Sequence, residues 1–201
     1  PPPHVLRRRQ PQMCIRDSFI VELICALSFV LVFYLFGFSL TTLLFFILSI
    51  FFVIIFFIDL KHFIIPNQLT FPLMAIGFFK TFNPSLNQYF FPNLIDSMIG
   101  GVVGYLIIWI IIFAYKKLRK KEGMGLGDAK LLSAIGFWFG WISIPFILFF
   151  SSFIALAYAL PSLLNKSKNM SSSIPYGPYL VLGCVLYLSL IHISEPTRLS
   201  L

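Results

Sequence analysis

The sequence predicts an all-α chain, a polytopic transmembrane helix bundle of about seven membrane segments. Three observations carry this. Of 201 residues, 59% are hydrophobic and only 11% charged, where a soluble domain is nearer half apolar and about a quarter charged. The apolar residues come in runs of roughly the 20 residues that a helix needs to cross a bilayer. The cations gather between the runs, led by Lys116-Lys117-Leu118-Arg119-Lys120-Lys121, which reads as a positive-inside signal beside a spanning helix. The net charge of +8 sits on no soluble basic domain, so the expected partner is the lipid bilayer and not nucleic acid.

Both ends break from this pattern. Residues 1–18 are rich in proline and arginine, and residues 190–201 turn polar in the middle of an apolar run. Met13-Cys14-Ile15-Arg16-Asp17-Ser18 and the segment from Leu190 to Ser200 resemble translated sequencing-adapter read-through. Both tails are read as non-native, leaving 19–189 as the membrane domain.

The segments follow in order. The first is Phe19–Phe38, with Glu22 near its start, and the second is Leu40–Ile58, ending at Asp59. The short turn Gly37–Thr42 makes them an antiparallel hairpin. Pro66 biases Ile65 away from helix, so Asp59–Thr70 reads as a helix end followed by a re-entry. A third segment, Leu69–Phe82, contains Pro72; Asn83–Asn93 is a polar loop. The fourth, Leu94–Tyr115, opens with Asp96 and carries Gly100, Gly101 and Gly104, small residues that let helices approach closely. A basic loop, 116–128, ends in Gly123-Met124-Gly125-Leu126-Gly127-Asp128. Ala129–Trp141 and Ser143–Ser162 are the fifth and sixth segments, and Ile174-Pro175-Tyr176-Gly177-Pro178 opens the seventh.

Counting crossings from a cytoplasmic 116–121 block puts Asp59 and Asp128 on the same face at similar depth. Lys166 and Lys168 return to the cytoplasm as the bias requires, and Lys80 is the one contrary charge. A carboxylate at a membrane boundary is costly and marks a functional site whose partner should be named. Alone, Asp59 is an ordinary helix-end residue and Gly-x-Gly-Asp a short chance pattern; the two on one face reverse that reading. Two neighbouring carboxyls in a low dielectric cannot both ionise easily, so one keeps its proton. The ionised member can then activate water while the protonated one polarises a carbonyl. The sequence assigns neither role to a particular aspartate.

Gly125 and Gly127 are expected to supply positive φ and close approach to an extended peptide, ahead of a helix start that favours the charge on Asp128. Lys130 either snorkels to the interface or tunes the local field. Asp96 falls on the opposite face as a solvent-side cap. His62 is a lone interfacial histidine. Cys14, Cys25 and Cys184 form neither a disulfide framework nor a zinc site. A His-Glu-x-x-His motif, a Gly-x-Ser-x-Gly elbow and a P-loop are all absent from the sequence. No metal is expected.

At these residues the sequence resembles the type IV prepilin peptidases, membrane aspartic proteases of the Gly-x-Gly-Asp type. The matching stretches are Phe57-Ile58-Asp59-Leu60 through Ile65-Pro66-Asn67, with Leu69-Thr70, and Gly123 through Asp128 to Lys130-Leu131-Leu132. Gly136 to Gly140 extends the second, and Val21-Glu22-Leu23 and Ile174 to Pro178 support it. The resemblance implies that Asp59 and Asp128 are the catalytic pair. It implies removal of the basic leader of prepilins or pseudopilins at the cytoplasmic face of the bacterial inner membrane, without a cofactor. Many members also methylate the product with S-adenosylmethionine, and these usually carry a four-cysteine zinc domain. This chain has no Cys-x-x-Cys pair, so it is expected to be a truncated long form or a peptidase-only form, with methyl transfer in doubt. Rival readings are a preflagellin or presenilin-like peptidase, a proton-coupled transporter and a non-catalytic scaffold. Oligomeric state is not legible.

Overall fold

A computed structural model describes residues 15–83, 86, 91–119, 125–164 and 175–194. Among them the chain forms helices α1 (Ile15–Phe36), α2 (Leu40–His62), α3 (Asn67–Phe79), α4 (Leu94–Arg119), α5 (Leu126–Phe139), α6 (Ser143–Leu164) and α7 (Gly177–Ser194). A single 3-10 turn, Lys80–Phe82, follows α3. The all-helical class and the seven segments are as expected. Four helices are long and apolar enough to cross a membrane: α1 from Phe19, α2, α4 to Leu118 and α6 to Leu160. Gly123, Met124, Lys120, Lys121, Lys166, Lys168 and Ile174 lie outside the described residues.

Several boundaries move, each for a physical reason. α1 stops at Phe36 because Gly37 takes φ 58°. α2 continues past Ile58 to His62, so Asp59 lies in its last turn, with Lys61 and His62 where cations suit the carbonyl end. α4 runs into the basic block as far as Arg119, where the described residues pause, since lysine and arginine are good helix formers. α5 starts at Leu126, which puts Asp128 in its first turn.

The chain divides into two compact units, residues 1–49 and 50–201. In the first, Ser39 caps α2: the Thr42 N–H donates to Ser39 Oγ at 3.2 Å, and Thr42 Oγ1 donates to the Gly37 carbonyl at 2.6 Å. Ring pairs Phe29–Phe46 and Phe36–Phe45, with centroids 4.7 and 4.8 Å apart, close the expected hairpin.

In the second unit α5 is the hub, packed against α3, α4, α6 and α7. Ten of its 14 residues are buried, from Asp128 to Phe139. Glycines make this possible. A Cβ on Gly100 or Gly136 would strike the other's backbone, and one on Gly104 would sit 2.8 Å from the Leu132 carbonyl oxygen. The close approach exposes carbonyls that hydroxyls can reach: Ser133 Oγ donates to Gly101 O at 2.8 Å and Ser97 Oγ to Phe137 O at 2.9 Å. The small-residue packing expected of α4 is thus the α4–α5 seam. Trp138 locks α3 on, its Nε1 donating to Leu73 O at 2.8 Å beside Gly77.

Two charged residues differ from expectation. Asp96 is in the first turn of α4, yet its carboxylate accepts Trp141 Nε1 at 3.2 Å, so it ties to the chain just beyond α5 as well as starting a helix. Lys80 is 5% exposed, with Nζ 4.0 Å from the Phe91 ring centroid and no hydrogen-bond partner among the described residues. Burial pushes it down to about 7.

Candidate active site

Asp59 is positioned by how α2 ends. The Phe63 N–H donates to the Asp59 carbonyl at 2.9 Å, and Phe63 takes φ 56°, the left-handed turn that commonly closes a helix. Pro66, at φ −67° and ψ 138°, then starts α3, its carbonyl accepting the N–H groups of Leu69 and Thr70 at 3.1 and 3.3 Å. The helix break expected before Pro66 is present, and a new helix starts after it. It turns Ile65 inward to 7% exposure.

Ile65 is where three elements meet. A Cβ added to Gly127 would lie 3.0 Å from Ile65 Cβ, and one added to Gly177 would lie 3.0 Å from Ile65 Cδ1. A side chain at either helix start would press on this loop, so glycine at both lets α5 and α7 close on it.

Asp128 sits in the first turn of α5, at the loop end of a helix that is not among the four long apolar ones. Its N–H donates to the Gly125 carbonyl at 3.3 Å. Asp59 and Asp128 are 4% and 7% exposed. Burial first, and the charge of Asp59 second, push Asp128 up to about 7. The charge of Asp59 thus reaches Asp128.

The expected role of the glycines needs correction. Gly125 has φ −81°, and among the described residues only Gly37 and Gly140 are glycines with positive φ. Gly127 is needed for the missing side chain facing Ile65. Around Gly125, which precedes α5, a Cβ would meet nothing nearer than 3.8 Å. Lys130 neither stands free nor points at the acids: Nζ donates to Asn67 Oδ1 at 2.7 Å and lies 5.5 Å from the Phe71 ring centroid, joining the two motif-bearing elements.

One participant was missed. The Gly177 N–H, at the start of α7, donates to Asp59 Oδ2 at 3.0 Å in a buried contact. The α7 start is itself tied to α6, where the Tyr176 hydroxyl meets Ser151 Oγ at 2.9 Å and Ser152 Oγ at 3.1 Å. The signal available was Pro175-Tyr176-Gly177-Pro178, whose Pro178 lies just inside the start of α7.

His62 is exposed at the end of α2. Among the described residues no cluster of His, Cys, Asp and Glu could hold a metal ion. What the site offers is a pair of buried carboxyls able to act as acid and base at once.

Comparison with known proteins agrees with this geometry. The profile of the Type IV leader peptidase family matches residues 46–160, which include both aspartates. The prepilin leader peptidase/N-methyltransferase of Aeromonas salmonicida (strain A449) is 42% identical over 127 residues, covering 63% of this chain and 42% of that protein. The protein of that name from Xanthomonas campestris pv. campestris is 36% identical over 164 residues, covering 82% of this chain and 55% of its own. That from Escherichia coli (strain K12) is 37% identical over 131 residues, 65% and 56% of the two chains. This chain therefore spans about half the length of the curated relatives it matches. No solved structure matches it. With the match running through both buried aspartates, the chain belongs to the Type IV leader peptidase family.

Proposed function

We propose that the chain is an aspartic-type membrane endopeptidase in which Asp59 and Asp128 are the catalytic pair. The observation that carries this is the meeting of two buried carboxyls from remote helix ends, one in the last turn of α2 and one in the first turn of α5, with Asp59 acting on Asp128. One ionised and one protonated carboxyl supply the base that activates water and the acid that polarises the scissile carbonyl. Gly127 and Pro66 shape the loop that brings them together, and Lys130 braces it through Asn67.

The substrates are prepilins or pseudopilins, cut to remove the leader. The names of the relatives support this. Cleavage takes place at the cytoplasmic face of the inner membrane. Supporting that orientation, Lys61 and His62 end α2, and Lys116, Lys117 and Arg119 end α4 just before the Asp128 motif. The peptidase step needs no cofactor. S-adenosylmethionine enters only if the chain also methylates its product, and nothing in the peptidase reading depends on it.

Co-expression with an epitope-tagged prepilin tests the reading. The parent chain removes the leader; Asp59→Ala and Asp128→Ala, present at parental levels in the membrane, do not. Leader removal that survives either substitution rules that residue out of the chemistry.

A further inference from the structure

The two carboxyls stand in unequal surroundings. Asp59 Oδ2 accepts the Gly177 N–H at 3.0 Å, and Gly177 is the first residue of the 18-residue α7. A backbone donor and the positive end of a helix dipole thus both favour charge on Asp59. The Asp128 carboxyl has no such donor among the described residues. The contact also demands glycine, since a Cβ at 177 would stand 2.6 Å from Asp59 Oδ2 and 3.0 Å from Ile65 Cδ1.

We infer that Gly177 is a positioning residue whose N–H and missing side chain hold Asp59 as the ionised base and leave Asp128 as the proton donor. This rests on the peptidase reading above and adds the division of labour. The Asp59 carboxylate takes a proton from water as the water oxygen bonds to the scissile carbonyl carbon. The Asp128 proton passes to the carbonyl oxygen, giving a neutral gem-diol. The C–N bond then breaks as the amide nitrogen takes the proton from Asp59, and a gem-diol hydroxyl returns its proton to Asp128. One water is consumed and both carboxyls end as they began.

The placement of other titratable groups agrees. Lys130 is turned to Asn67, the Tyr176 hydroxyl to Ser151 and Ser152, and Lys61 and His62 are exposed at the end of α2. Asp59 is the neighbouring charge that acts on Asp128, which burial and that charge together push up to about 7.

Two alkylating probes read the assignment on the unmodified full chain. Phenyl glycidyl ether is opened by a carboxylate, whose oxygen bonds the epoxide carbon while the released alkoxide takes a proton from water. Methyl diazoacetate takes a proton from a carboxylic acid, loses dinitrogen and leaves the ester. Peptide mass mapping at about pH 6, below the value of a raised carboxyl, should find the glycidyl ester on Asp59 and the diazoacetate ester on Asp128. The reverse pattern, or equal labelling of both residues by each probe, overturns the inference.

Gly177→Ala should lower leader removal by at least about tenfold and move the acid limb of kcat/KM upward by about one pH unit, with less epoxide ester on Asp59. An unmoved acid limb with unchanged labelling overturns the positioning role. Reversed labels on an enzyme that both alanine substitutions silence refute the division of labour alone. Cleavage surviving those substitutions refutes the peptidase reading itself.

Discussion

Asp59 and Asp128 arrive at one site by opposite routes. Asp59 ends a 23-residue apolar helix and takes its buried hydrogen bond from the start of another helix, across a glycine. Asp128 begins a 14-residue helix whose faces are nearly all covered, with its seam to α4 built from glycine against glycine. The first acid depends on a loop and a neighbouring N-terminus, the second on the core itself. Substitutions in the α4–α5 seam behind Asp128 should therefore unfold the chain, whereas those near Asp59 should silence it while leaving it folded.

The sharpest way to break that contrast is Gly136→Leu. Its side chain would occupy backbone of Gly100, and overpacking against backbone that cannot move is expected to cost more than about 3 kcal/mol. Protease resistance in detergent should collapse. A folded, active Gly136→Leu variant would show that the seam is not rigid.

The next effect is on pH. In the proposed division of labour Asp128 is the protonated donor, and it is held up at about 7. The alkaline limb of kcat/KM should therefore fall near that pH, by about tenfold for each further unit. Its sign for stability follows from the same shift. The folded form binds the extra proton between the ordinary 3.8 and about 7, so stability falls as pH climbs through that window and levels off above it. An alkaline limb that stays where it is in Asp128→Glu would assign it to another group.

Gly127→Ala and Gly125→Ala form a matched pair. The first pushes on Ile65 Cβ at 3.0 Å, and the second meets nothing closer than 3.8 Å. About 1 kcal/mol and a several-fold loss of cleavage are expected for Gly127→Ala, against less than about 0.5 kcal/mol for Gly125→Ala. Equal losses would return the glycine motif to a backbone role.

Lys80→Met is the smallest effect and should be favourable. A buried ammonium with no hydrogen-bond partner among the described residues costs more than its contact with Phe91 returns. Lys80 is lowered from 10.5 to about 7, so the charged penalty is full below about 7 and fades as pH rises towards 10.5. The gain in melting temperature should be larger at about pH 6 than at about pH 9. A uniform gain would assign it to packing instead.

The sequence was legible where one physical rule dominated. Apolar run length found the helices, and Pro66 found the break between α2 and α3. What it could not show was contact between distant backbone and side chain. The Gly177 N–H reaches Asp59 across 118 residues, and a backbone amide leaves no mark on residue type. The same holds for Trp138 on the Leu73 carbonyl and for Ser133 on Gly101. Gly127 was singled out correctly but for the wrong property: glycine there means an absent side chain, not a left-handed turn.

The most direct measurement is leader removal from the tagged prepilin by Asp59→Ala, Asp128→Ala and the double variant, scored against the amount of each in the membrane. Two acids serving one water act as a unit, so each single loss should be as complete as the double, a drop of at least about a thousandfold. Measurable cleavage by either single variant that vanishes only in the double would mean that the acids work separately, and would contradict the account.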